Sequence, residues 1–119
     1  MKWFLIGVGA LHALFMVLEM FPWKSPVLLG IVSKKLLKDQ PFTNDQRELV
    51  ATIVHNAGIY NAILAGGLLW AAVSDPPNRD VARVLLAGAA VAGAFGTATL
   101  KSPFTALQSV LGIIGLTRI

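Results

Sequence analysis

The 119-residue sequence contains no cysteine, which excludes disulfides, thiolate metal sites and cysteine nucleophiles. Charge is scarce: 13% of residues are Asp, Glu, Lys or Arg, about half the share of an ordinary soluble domain. Histidine occurs twice and tyrosine once. No Ser–His–Asp arrangement, phosphate-binding glycine loop or dinucleotide fingerprint can be found along the chain. These absences remove most enzyme classes recognisable by motif.

What is present is apolar. Hydrophobic residues make up 55% of the chain and the mean hydropathy is +0.69. A small water-soluble globule leaves roughly 40% of its unfolded surface exposed, so a chain this short and this apolar is expected to be covered by lipid. The net charge of +4 and pI near 9.9 could suggest nucleic acid. However, the ten Lys and Arg residues lie in the gaps between apolar runs, where long cationic side chains reach lipid headgroups. They form no basic stripe interleaved with aromatics. The expected partner is the bilayer and not a nucleic acid.

Four apolar runs predict an all-α integral membrane bundle of four transmembrane helices in a single domain, with spans at about 3–21, 49–73, 81–100 and 104–117. The first run resembles a signal peptide but is too long for one, and Glu19-Met20-Phe21-Pro22-Trp23 offers no small-residue cleavage site. Pro22 ends it and Trp23 anchors it at the interface. Between Lys24 and Glu48, the stretch from Val27 to Lys38 is apolar on one side and cationic on the other, which suits an interfacial segment between helices 1 and 2. Thr43-Asn44-Asp45-Gln46 reads as a capping box. The second span, Leu49 to Val73, runs 25 residues without an Asp, Glu, Lys or Arg. Ser74-Asp75-Pro76-Pro77-Asn78 is a turn, and Lys101-Ser102-Pro103 breaks the chain before the shortest run. Two small-residue ridges are expected to pack, Gly58–Ala62–Gly66 on helix 2 and Gly88–Ala92–Gly96 on helix 3.

The polar residues inside these runs gather towards one side of the membrane, the side carrying the connections between helices 1 and 2 and between helices 3 and 4. Glu19, His55, Asn56, Tyr60, Asn61, Thr97, Thr99 and Gln108 all lie in that half, and His12 lies near mid-membrane. Buried polar groups in hydrocarbon need partners or water, so one polar pocket in one leaflet is expected. Asn56 and Tyr60 share a helix face, roughly opposite Gly58.

An ionisable group within a span is a functional candidate by default. Glu19 and His12 are therefore the candidate catalytic, proton-handling pair, on one face of helix 1 but about 10 Å apart along its axis. The competing reading has Glu19 reaching water or pairing with Lys101 or a headgroup, and His12 as a hydrogen-bonded core residue. Asn56, Tyr60, Gln108 and Trp23 are the candidate ligand-binding residues. Asn61, Thr97 and Thr99 read better as hydrogen-bonding glue between helices. His12, His55 and Glu19 lie at different depths without His-x-x-x-His or Glu-x-x-His spacing, so no metal site is expected. No cofactor is expected either.

The ordered set His12, Glu19-Met20-Phe21-Pro22-Trp23, Asn56-Ala57-Gly58-Ile59-Tyr60-Asn61, Gly93-Ala94-Phe95-Gly96 with Thr99, and Gln108 resembles a family of small bacterial membrane proteins, the domain of unknown function thirteen-oh-four. The likeness covers essentially the whole chain and departs from the family pattern at His55, Ala57 and Phe95. It implies four helices, a bacterial origin and a multi-pass place in the inner membrane, and no established activity.

Three functions remain open. The first is binding, or in an enzymatic form isomerisation, of a small lipophilic molecule entering from the membrane. The second is an accessory subunit of a larger membrane complex. The third is a small transporter or proton conduit, which so short a chain would have to build as a homo-oligomer.

Overall fold

Helices form along the apolar runs and stop at identifiable caps. The computed structural model describes residues 1–21, 29–30, 33–35, 37–38 and 40–119. These residues hold no strand and four long helices: α1 (Lys2–Met20), α2 (Asn44–Val73), α3 (Arg79–Leu100) and α4 (Pro103–Arg118). The expected capping box is present at α2: the Thr43 amide donates to Gln46 Oε1 at 2.9 Å, and the Gln46 amide donates to Thr43 Oγ1 at 3.2 Å. Asn78 caps α3 by accepting from the Val81 amide at 3.1 Å. Lys101 ends α3 in the left-handed conformation (φ 50°), its amide donating to Thr97 O. Pro103 stands at the start of α4, where its missing N–H costs nothing.

Three helices, α1, α2 and α3, are long and apolar enough to cross a membrane. The fourth apolar run also forms a helix, but at 16 residues α4 is shorter than the ~20 a span usually needs. Trp23, Pro22 and Lys24 lie outside the described residues, as does much of the segment expected at the interface. Within that segment, residues 29–30 and 33–35 are helical.

The chain divides into two compact units, Met1–His12 with Ile63–Ile119, and Ala13–Ala62. In the first, Leu5, Val8, Leu68, Ala71, Ala72, Ala82 and Leu86 form a buried cluster, flanked by Phe4, Leu85 and Leu111. Gly9 lets α1 approach α2, since a Cβ there would stand 3.0 Å from the Leu69 side chain and 3.3 Å from Ala65 O. The hairpin of α3 and α4 is closer still. A Cβ on Gly93 would collide with the Ser109 amide and with Thr105 O, and one on Gly112 would stand 2.6 Å from Ala90 N and 2.7 Å from Leu86 O. Those are backbone atoms, so only glycine permits the contact. Ser109 Oγ donates to Ala90 O at 3.0 Å, and Thr97 Oγ1 lies 2.7 Å from Gly93 O and 3.3 Å from Thr105 Oγ1.

The ridge on α3 differs from the expected one. Gly96 packs, but Gly88 has nothing within 4 Å and Ala92 is exposed; the packing face is Leu86, Ala89, Ala90, Gly93 and Gly96. On α2 Gly66 is likewise open.

In the second unit Gly58 is buried, and a Cβ there would meet the Met20 side chain at 2.9 Å and Glu19 Cβ at 3.3 Å. Phe15 and Phe42 are buried.

Outside these contacts the surface is strongly apolar. Trp3, Phe21, Val84, Val91 and Phe95 are each at least 70% exposed. Apolar exposure on this scale marks a surface that meets lipid or protein and not water.

Candidate functional site

The interior of the first unit holds two of the candidate residues. His12 is fully buried, and its Nδ1 lies 2.9 Å from Val8 O one turn earlier on α1. A carbonyl can only accept, so Nδ1 carries a proton and donates it. Gln108 is also buried and shares its face of α4 with Gly112 and Gly115, the glycines that meet Leu86 and Ala90 of α3. Both side chains sit among packed helices.

Glu19 belongs to the second unit and has a defined partner. Asn61 Nδ2 donates to Glu19 Oε2 at 2.7 Å. Both residues are half-buried. Gly58 makes this geometry: without a side chain it admits Glu19 Cβ and Met20 against α2, and Asn61, three residues on, stands on the same helix face. The pairing of Asn61 with a neighbouring helix agrees with its expected role as glue, as does the contact of Thr97 with Thr105. Thr99 does something simpler, bonding Phe95 O of its own helix at 2.9 Å.

Asn56 and Tyr60 lie on the other side of α2. Both are exposed, Tyr60 at 62%. At 100° per residue Asn56 is about 160° around the helix from Gly58. The second unit therefore joins Glu19 to Asn61 and turns Asn56 and Tyr60 outward.

Sequence reasoning left Ser109 unassigned, although its spacing from Thr105 and Gly112 places all three on one face of α4. It also left unassigned the polar rim of the first unit. There Arg83 bonds Asp80 Oδ1 at 3.2 Å and Ile119 O at 3.1 Å, and the Arg118 guanidinium lies 5.9 Å from the Phe4 ring centre. A shallow groove beside them, lined by Ser74, Pro77, Asn78, Arg79, Asp80 and Arg83, contains none of the expected site residues. Among the described residues no three His, Asp or Glu side chains gather as a metal site would require.

Comparison with curated proteins and with solved structures gave no match. The family model described as "Protein of unknown function (DUF1304)" matches residues 6–119, nearly the whole chain, and the protein therefore belongs to that family.

Proposed function

We propose that this protein crosses the bacterial inner membrane four times and binds a small lipophilic molecule through the Glu19–Asn61 pair. Three helices already have the length and hydropathy of spans. The case for α4 as the fourth rests on its alignment with α3. Gly96 meets Thr105, Gly112 meets Ala90, and Arg83 in the first turns of α3 reaches Ile119 at the far end of α4. A helix that follows α3 from its last turn to its first crosses whatever α3 crosses. At about 24 Å, α4 falls short of the ~30 Å hydrocarbon core, a mismatch that local thinning of the bilayer absorbs at modest cost. The connection before α2 would keep its 27–38 stretch in the headgroup plane, with Trp23 as an anchor.

The observation that carries the ligand reading is the half-buried carboxylate within α1, held by one amide N–H. A carboxylate has about four lone-pair positions and an amide has two donors and an acceptor. The single bond between them leaves hydrogen-bonding capacity on both groups, in a setting where such capacity is costly to leave unused. An apolar molecule with a hydrogen-bonding head would use it. In an isomerase, the Glu19 carboxylate would take a proton from one carbon and return it to another.

Native mass spectrometry in mild detergent tests this, with wild type beside Glu19→Gln. A discrete small-molecule mass on the wild type, weakened in the variant, is the expected result. Bare protein in both, or protein bound only to other polypeptides, would overturn the reading in favour of an accessory subunit.

A further inference from the structure

On the exposed face of α2, which also includes Thr52 and Ile59, Leu49, Ile53, Asn56 and Tyr60 are spaced by four, three and four residues. That is the 3.5-residue repeat that keeps one seam of a helix turned towards a partner helix. Leu49, Ile53 and Tyr60 are each 60–62% exposed. A purely apolar seam would need no partner in a bilayer, because lipid tails are as apolar as leucine. This seam is not purely apolar. Asn56 and Tyr60 stand some 10 and 16 Å into the charge-free run that starts at Leu49, and among the described residues neither side chain has a hydrogen-bond partner. Thr52 beside them differs, since its hydroxyl bonds Glu48 O of its own helix at 2.9 Å.

We infer that a second copy of this chain covers the seam, the two α2 helices packing in parallel with Asn56 hydrogen-bonded to its counterpart. The inference rests on α2 being a membrane span. Copies of a membrane protein inserted the same way are related by a two-fold axis along the membrane normal, so each seam residue meets its own counterpart. That symmetry selects the groups it allows. An ionised side chain would face its like charge, and from Leu49 to Val73 there is no Asp, Glu, Lys or Arg. An amide and a phenol are each both donor and acceptor, so each bonds its own copy. An asparagine in such a seam also fixes the register of the two helices.

The chain has no native cysteine, so single replacements report on one position at a time. Leu49→Cys, Ile53→Cys, Asn56→Cys and Tyr60→Cys, oxidised in native membranes, are expected to form covalent dimers, whereas Val54→Cys and Ala57→Cys, off the seam, are not. All four seam side chains are exposed, so the replacements leave the packing of the chain intact. In the Ile53→Cys background, Asn56→Leu should lower the cross-linking equilibrium about three- to tenfold, the worth of an interhelical polar bond in a bilayer, and Asn56→Gln should retain most of it. Equal cross-linking at all six positions, or a product containing a different polypeptide, would overturn the dimer. The same samples are washed at alkaline pH. Protein released by the wash would overturn the span and the dimer together; protein retained without the four-three-four profile would overturn the dimer alone.

Discussion

Asn61 on α2 holds the carboxylate of Glu19 on α1 by a hydrogen bond of 2.7 Å, and Gly58 one turn away supplies the space that brings the two helices into reach. The pair and Gly58 act as one device. Removing the donor and removing the acceptor should therefore differ. Asn61→Leu leaves a half-buried carboxylate without its donor and is expected to cost about 1–3 kcal/mol. Glu19→Gln keeps an acceptor oxygen for Asn61 and should cost less. Asn61→Asp, which sets a second carboxylate against the first, should cost the most. Thermal unfolding of the three variants in one detergent checks the order, and an Asn61→Asp protein as stable as wild type would contradict it.

The glycines of the α3–α4 hairpin give a second, sharper contrast. A methyl group on Gly93 or Gly112 meets backbone atoms that cannot turn aside, so Gly93→Ala and Gly112→Ala should each destabilise by about 1–3 kcal/mol, as overpacking does. Gly88→Ala meets nothing within 4 Å, and removing a flexible residue from a helix interior should leave stability unchanged or raise it by up to about 1 kcal/mol. Unfolding in detergent, with the three variants measured side by side, separates a specific contact from a general intolerance of alanine.

That contrast also marks what the sequence could reveal. Thr43 and Gln46 announced the start of α2 because a capping box is a local device, complete within four residues. The face of α2 was legible only in part: Gly58 packs opposite Asn56 and Tyr60, but Gly66 on the expected ridge is open, and Asn56 and Tyr60 are exposed where a pocket lining was expected. On α3 small residues occur all around the helix: Gly88, Ala89, Ala90, Ala92, Gly93, Ala94 and Gly96. Two rows of them pass through Gly96, and composition favoured the row through Gly88 and Ala92. The row that packs is set by Thr105, Ser109 and Gly112 on the facing helix, information that no reading of α3 alone contains. The partner of Glu19 was hidden for the same reason, 42 residues away and fixed only when Gly58 brought the helices together.

The capping box should be worth measuring at α2 because so little else holds its first turn. Residues 43–49 are all exposed, so packing contributes little there. Thr43→Ala removes the acceptor for the Gln46 amide and should cost about 1 kcal/mol. The effect should be local: faster amide exchange in the first turn of α2, with the rate beyond Gly58 unchanged. Acceleration spread along the whole helix would mean that the turn is coupled to the span.

The crossing of α4 can be tested by asking which residues share a side of the membrane. Four spans place Lys2, Asp75 and Arg118 on one side and Gln40 and Ser102 on the other. Each is replaced singly by cysteine and labelled with an impermeant thiol reagent before and after the membrane is opened. The decisive position is Arg118. If α4 crosses, Arg118→Cys labels with Lys2→Cys and Asp75→Cys. If α4 turns back within one leaflet, it labels with Ser102→Cys. The contacts of the hairpin favour the first outcome. Thr105, Ser109, Gly112 and Gly115 engage α3 successively from Gly96 back to Leu86, and Ile119 then reaches Arg83. Turning α4 back would break all of these contacts. It would also strand the Ser109 hydroxyl in hydrocarbon away from its α3 acceptor, whereas a short helix that crosses pays only the smaller cost of mismatch.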